Sequence, residues 1–476
     1  MILLGILASS VFGSGSVSQY ILDLYGNSAS AFSLRKLSQT YTGSAIRVRR
    51  SSDNAEQDIG FDSAGSLDET SLSSFVGSGN YFLYTQEFDN AYWSKQRTTA
   101  TANQTTAPDG SNTADLIAET AGTNTHLLQT ISNTTLLESG SNYTLSVYLK
   151  KGPGAGAPNI MQLILDTTYF TSSLYVNYNI NTGTVVNSAG VVTASIEPAA
   201  NGFYRCILTA QCTTYLAGSL VMPFLAFTNN NSALGRLPSY TGATNRDVYV
   251  WGVQLNEGST AQTYASASAT QVGSGYVTTW YDQTGNTRNA TNVTGSAPII
   301  VNYGGIKRSG TRPTIFFNNS TGGNLLSTGY TVSQPNTTIV VAQNKSTSTL
   351  ARQIFLGTSG VANNQRLQVQ VATGFLGIGT GGANNVVSTT VIGTILRSYF
   401  LTFNGASTQL YTNNTSVIGP TSAGNGALTS ASIGSNLAAT NTTLQGGISE
   451  LIFYGSNQTS NQLGIENNVN SYYTIY

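Results

Sequence analysis

The tetrapeptide Val-Gly-Ser-Gly occurs at residues 76–79 and again at 272–275, and the stretch between the copies differs in character from both flanks. Before the first copy runs Tyr41-Thr42-Gly43-Ser44-Ala45-Ile46-Arg47-Val48-Arg49-Arg50, a compact charged strand signal. After the second runs Tyr276-Val277-Thr278-Thr279-Trp280-Tyr281-Asp282-Gln283, an alternating strand that closes on a turn. One domain split in two, with a second inserted at the repeated phrase, is the economical reading. Insertions survive at exposed Gly/Ser-rich loop tips, where few backbone hydrogen bonds are lost, so the seam is expected to be exposed. The resulting division is an arm over 1–19, a first part over 20–79, an insert over 80–271 and a second part over 272–476.

A chain of 476 residues has material for roughly three domains. Only 8% of it is charged, yet 40% is hydrophobic, with 26 Tyr and 17 Phe, so it has the apolar content to fold. Tyr, Thr, Val and Ile favour pleated, half-buried surfaces, and frequent Gly and Asn supply turns. The expected class is all-β: two jelly-roll-like β-sandwich domains, one inserted into the other, with a short N-terminal arm and a C-terminal helix.

Formal net charge is zero, which leaves no basic stripe to neutralise phosphates and removes the electrostatic case for nucleic acid. The one dense charge cluster sets Arg47, Arg49 and Arg50 against Asp53, Glu56 and Asp58, and reads as an internal ion-pair network. Asp53, Glu56, Asp58 and Asp62 do not have the spacing of an EF-hand loop. His126 is the only histidine, so no multi-histidine metal site and no Ser-His-Asp triad is expected; it reads as a strand residue with its ring hydrogen-bonded. No metal or other cofactor is expected. Cys206 and Cys212 lie six residues apart, roughly 20 Å along one strand, which is beyond disulfide reach. They are expected to be small buried hydrophobes, and free thiols suit folding in a reducing cytoplasm.

The opening stretch contains Ile2, Leu3, Leu4, Ile6, Leu7, Val11 and Phe12. It has the look of a signal-peptide core but lacks a basic leader and is too short to span a bilayer. Two readings stand: an apolar arm that docks on a partner, or a first strand of the chain's own sheet.

Residues 18–40 read as a helix on the spacing of Tyr20, Leu24, Ala31, Leu34 and Leu37, interrupted by Gly, Asn and Ser at 26–28. A terminal helix is expected with Ser460 as N-cap and Ile465, Val469 and Tyr473 on one face. Strands are expected at 145–149, 161–165, 173–178, around Cys206 and at 248–255, and beyond the insert at 338–342, 367–371, 399–403 and 451–454.

Several of these residues carry a resemblance. The set Ala31-Phe32-Ser33-Leu34-Arg35, residues 46–53, Asp58-Ile59-Gly60-Phe61 and residues 280–286 resembles the arabinofuranosidase B-type catalytic domain, in the diverged form carried by bacteriophage structural proteins. The ending Gly447-Ile448-Ser449-Glu450-Leu451-Ile452-Phe453-Tyr454 and its helix look like the close of a laminin-G/concanavalin-like jelly roll. In the insert, residues 84–93, 107–110, 202–206 and 251–258 look like the carbohydrate-binding-module-type sandwiches of phage appendages. The resemblance implies a virion protein, folded in the host cytoplasm, docked on other virion proteins through its arm. It further implies a homo-oligomer, with a trimer the expected form, and host surface glycans as partners in the alternative reading.

A retaining glycosidase needs two carboxyl groups roughly 5–5.5 Å apart. From Tyr276 to Tyr476 the chain holds only Asp282, Glu450 and Glu466, and the family's Asp-x-Glu strand is missing from that half. Asp282 is expected to cap a turn, and Glu450, sharing a face with Ile448 and Ile452, to be solvated. If the chain were an enzyme, Glu450, Asp282 and Asp53 would be the candidates. No catalysis is expected. Sugar rings stack on flat aromatics, and the candidates are Trp93, Tyr92 and Tyr84, with Tyr169, Phe170 and Tyr215 behind them. The leading expectation is a non-enzymatic virion structural protein, a head or tail appendage; a glycan-binding adhesin is the alternative and a residual glycosidase the third.

Overall fold

A computed structural model describes residues 20–476 apart from 132–136, 138, 172, 214–222, 230–234, 270–271, 294, 319–322, 346–351, 358–364, 370–374, 381–385 and 436–442. The expected arm and Tyr215 lie outside the described residues. The regular secondary structure of the remainder is predominantly antiparallel sheet, and strand pairing separates residues 93–257 from the rest.

The insert is a sandwich of two six-stranded sheets. One runs in the order Thr184–Ala189, Tyr175–Asn179, Ile160–Ile164, Pro223–Phe227, Leu127–Thr130, Trp93–Gln96. The other runs Thr193–Pro198, Tyr204–Gln211, Asn142–Lys151, Asp247–Glu257, Ala114–Glu119, Thr98–Thr105. Their facing sides meet in one core that includes Tyr143, Leu145, Val147, Cys206, Leu208 and Val250. Cys206 and Cys212 form no disulfide and are both fully buried, and desolvation pushes the Cys206 thiol up.

The flanking segments build the second sandwich together. Strand Ile46–Arg50 pairs with Gly275–Trp280 across the insertion, with Val48 opposite Val277 and Ile46 opposite Trp280. Ile46 and Val48 point inward and the arginines outward, as a period of two requires. In the other sheet, Gly446–Tyr454 is flanked by Asn336–Asn344 on one edge and by Ser28–Ser33 on the other. Strand Ile315–Phe317 links the two sheets, pairing with both Gly446–Tyr454 and Ile299–Asn302. The core between them includes Phe32, Trp280, Leu401, Ile448, Leu451 and Phe453.

The helix expected over 18–40 is not there. A single turn, Ile21–Leu24, gives way at Asn27 (φ 66°) to strand Ser28–Ser33. Ala31 and Phe32 face opposite sides of the sheet, Ala31 toward the terminal helix and Phe32 toward the sandwich core. Pairing with Gly446–Tyr454 overrides the weak helical spacing. The terminal helix spans Gln462–Tyr473 with Ile465, Val469 and Tyr473 buried, but Ser460 is no cap; it sits in a preceding 3-10 turn, Thr459–Asn461. A second helix that the sequence reading did not anticipate, Glu69–Val76, is capped by Asp68, whose carboxylate accepts from the Ser71 amide at 2.9 Å. Among the described residues, no helix is long and apolar enough to cross a membrane.

Candidate functional site

The repeated Val-Gly-Ser-Gly is not an exposed, loose hinge. Gly79, Asn80, Gly273, Ser274 and Gly275 are all buried. A Cβ on Gly79 would lie 1.8 Å from the Tyr303 carbonyl carbon, and one on Gly273 (φ 84°) would lie 2.3 Å from the Gly79 Cα. Glycine is required by close backbone approach, and at Gly273 also by the left-handed conformation. The Asn80 side chain donates to the Val253 carbonyl (2.9 Å), the Gly79 amide donates to Gln262 Oε1 (2.9 Å), and Gln254 donates to the Gly79 carbonyl (3.0 Å).

Beside this seam a buried ion pair joins the two sandwiches. Lys307 Nζ donates to both oxygens of Glu257 at 3.0 Å, and Asn302 Nδ2 bridges Glu257 Oε2 (3.0 Å) and the Tyr81 hydroxyl (2.7 Å). The two charged side chains are 3% and 9% exposed, so the pair is desolvated and its polar atoms need these partners. Tyr303 packs its ring 3.8 Å from that of Tyr81. Neither Glu257 nor Lys307 was singled out from the sequence. The signal was weak: two opposite charges fifty positions apart, in a chain otherwise poor in charge.

Glu450 is fully buried, contrary to the solvated expectation. An extra residue, Ser449, stands between Glu450 (opposite Val341) and Ile448 (opposite Ala342), and this β-bulge breaks the alternation, so Ile448 joins Leu451 and Phe453 in the sandwich core. Glu450 is left with Ile452 and Tyr454 on the outer face, which the terminal helix covers. There Arg35 grips it with Nε to Oε2 at 2.7 Å and Nη2 to Oε1 at 2.9 Å, while Ser33 Oγ donates at 2.8 Å and the Tyr473 hydroxyl lies 3.3 Å away. Burial works against the Arg35 charge, but the attraction and hydrogen bonds of Glu450 outweigh it and hold the guanidinium above its ordinary range. Arg35 also donates to Asn468 on the helix and lies over the rings of Tyr472 and Tyr473.

Asp282 does cap its turn. Its carboxylate accepts from the amides of Thr284 (3.0 Å), Arg288 (3.1 Å) and, across the insertion, Ala31 (2.9 Å). Asp53 lies on the surface in a bidentate pair with Arg50 at 2.8 and 2.7 Å, whose hydrogen bonds hold its carboxyl well below the usual range. Arg47 pairs likewise with Asp58, and these side chains are about a third to a half exposed, so the cluster is a surface network rather than an internal one. The three candidate acids are thus each occupied by different structural partners. Glu466, the remaining carboxylate of that half, is buried under Ser398 and Gln462.

Trp93 is 1% exposed and packs on Phe82, Phe88 and Phe224, with Nε1 donating to the Tyr84 carbonyl. It fills the core and offers no face to a sugar. Tyr84 and Tyr92 are half-buried and their rings lie 5.9 Å apart, while Tyr169 and Phe170 are buried. His126 is buried beside Tyr240, its Nε2 3.2 Å from the Thr120 carbonyl, in the short link between Thr123–Asn124 and Leu127–Thr130 rather than within a strand. Among the described residues, no group of three or more His, Cys, Asp or Glu side chains is gathered to hold a metal ion.

One carboxylate gives the insert a pH dependence. Asp115 is fully buried and accepts from the amides of Phe88 (2.7 Å) and Asn103 (2.9 Å). Desolvation pushes its carboxyl up to about 6, against the lowering effect of those amides. The folded chain therefore takes up a proton as pH falls through 6, before the unfolded chain does near 4, and stability from this group rises as pH falls across that window. Asp115→Asn is expected to flatten the slope of melting temperature against pH between 4 and 6; an unchanged slope refutes the assignment.

No family model matches the sequence, and no curated protein matches it significantly. Several solved structures match it weakly, three of them as follows. A Trypanosoma rangeli sialidase matches at 9% identity and TM-score 0.29, over 75% of this chain and 60% of that one. The LG4-5 domains of the mouse laminin alpha1 chain match at 9% identity and TM-score 0.24, over 66% and 82%. A candidate carbohydrate-binding protein from Bacteroides ovatus matches at 12% and 0.24, over 82% and 84%. The chain thus spans less than two thirds of the sialidase. Likenesses of this size define no family, activity or ligand for it. What its own geometry defines is an all-β protein of two sandwiches, one inserted in the other and buried against it at the joint.

Proposed function

We propose that this chain is a non-enzymatic structural protein that holds two β-sandwiches in a fixed relative orientation on a particle, as a virion appendage docked through residues 1–19. The observation that carries the reading is the joint. Gly79 and Gly273 bring backbones into contact, and the Glu257–Lys307 pair is buried between the sandwiches, an arrangement suited to transmitting shape. The commitment of Glu450 to Arg35 and of Asp282 to three amides supports the non-enzymatic part. The virion setting rests on the sequence resemblance.

Two experiments test it. A chain lacking residues 1–15 is expected to fold normally yet to be absent from purified particles; normal incorporation refutes the docking role. The intact protein is expected to leave aryl-arabinofuranosides unhydrolysed. Hydrolysis that disappears in Glu450→Gln refutes the non-enzymatic reading.

A further inference from the structure

We propose that the side chains of Lys307 and Asn302 react with each other to form an isopeptide bond, with Glu257 moving the protons. The two residues belong to one hairpin, built from Ile299–Asn302 and Gly305–Ile306. Asn302 is opposite Gly305, and the Lys307 amide donates to the Ile300 carbonyl at 2.8 Å. Glu257 reaches over this hairpin from the end of strand Asp247–Glu257. A Cβ on Gly305 would lie 2.7 Å from the Glu257 Cβ, so a glycine opposite Asn302 lets the carboxylate in.

One oxygen touches both nitrogens that matter. Glu257 Oε2 is 3.0 Å from Lys307 Nζ and 3.0 Å from Asn302 Nδ2. The first must lose protons to attack, and the second must gain them to leave. A buried ion pair needs only Lys307 and Glu257; the amide on the same oxygen supplies an acceptor. Lys307 Nζ also lies 5.1 Å from the centre of the Phe316 ring, and the fully buried Tyr81 packs on Tyr143 and Tyr303. Away from water both charged forms lose solvation, so a proton transfer that leaves a neutral amine costs less than it would on the surface.

The step balances without oxidant or cofactor. Lys307 Nζ passes two protons through Glu257 to Asn302 Nδ2, Nζ bonds to Asn302 Cγ, the Cγ–Nδ2 bond breaks with its electron pair on nitrogen, and ammonium leaves. Asn302 is half-buried, which gives ammonium a way out. The Glu257–Lys307 ion pair is the reactant of this step. The product ring closes around Tyr303, whose carbonyl abuts Gly79, and so fixes the hairpin that seats the joint.

The test is mass spectrometry of tryptic peptides from the folded full chain. The segment holding residues 302–307 is expected to be lighter by one ammonia, about 17 Da, uncut at Lys307 and without fragments from breaks between 302 and 307. Lys307→Arg is expected to restore the full mass, and so is Glu257→Gln, which keeps the shape but cannot carry a proton. Full mass in the parent protein overturns the proposal, a result that requires no variant to fold. A deficit that persists in Lys307→Arg also overturns it, because Asn302 has then cyclised on its own backbone. So does loss of one water with Lys307 joined to Glu257. The inference rests on the geometry of the joint, and none of these outcomes bears on particle docking.

Discussion

Arg35→Ala is expected to lower the stability of the outer sandwich by about 3–5 kcal/mol, the usual cost of stranding one member of a buried ion pair. Glu450 would be left fully buried, with Ser33 and Tyr473 as its remaining hydrogen-bonding neighbours. The loss should be larger than for Glu450→Gln, which keeps an acceptor for the guanidinium. Replacing both partners with apolar residues, Arg35→Met/Glu450→Leu, should recover much of the loss, since neither charge then needs a partner. Calorimetric melting of the four proteins checks the series. An Arg35→Ala protein that melts within a degree of the parent would refute the structural role given to Glu450. The same result would reopen that carboxylate to chemistry.

Gly79→Ala and Gly273→Ala are expected to be at least as damaging, because each new methyl meets main chain rather than a side chain that can turn away. At Gly79 the clash is with the Tyr303 carbonyl, and at Gly273 the left-handed conformation adds strain of about 1 kcal/mol. The expected outcome is loss of at least about 3 kcal/mol, together with new protease cleavage at residues 76–80 or 271–275. Gly77→Ala is the control: Gly77 also has positive φ (82°), but nothing lies within 4 Å of its Cβ position. If Gly79→Ala behaves like Gly77→Ala, the close approach at the joint is not a constraint. Lys307→Met probes the same joint through its charge, leaving Glu257 buried beside Asn302.

The architecture was largely legible in the sequence, because it is written in local alternation. Val-Gly-Ser-Gly marked the insertion, and strand Ile46–Arg50 did reunite with Gly275–Trp280. Where the reading failed, the cause was non-local. Residues 28–33 carry spacing compatible with either period, and only the neighbouring Gly446–Tyr454 decides for strand. Glu450 could be assigned to a face only by knowing of the bulge beside it at Ser449, which depends on pairing with Val341 and Ala342, more than a hundred positions away. Trp93 stood out as a sugar platform because an aromatic cluster reads the same inside and outside a core; its ring is enclosed by Phe224, more than a hundred positions later. The seam glycines were legible as turn formers, but their real constraint, contact with Tyr303, comes from the far side of the insert.

The pairing of Ser28–Ser33 with Gly446–Tyr454 has a consequence for how the molecule comes into being. Ser33 and Glu450 are 417 positions apart, so a ribosome working at about 5–20 residues per second emits the second strand roughly 20 to 80 s after the first. During that interval the insert, whose strands are all local to 93–257, can close on itself, while Phe32 and the arginine destined for Glu450 wait without partners. The outer sandwich therefore cannot close until residues 446–454 have emerged, long after the insert is complete. A nascent chain arrested before residue 446 should present a finished inner module and an opening segment available to any chaperone that recognises apolar strands.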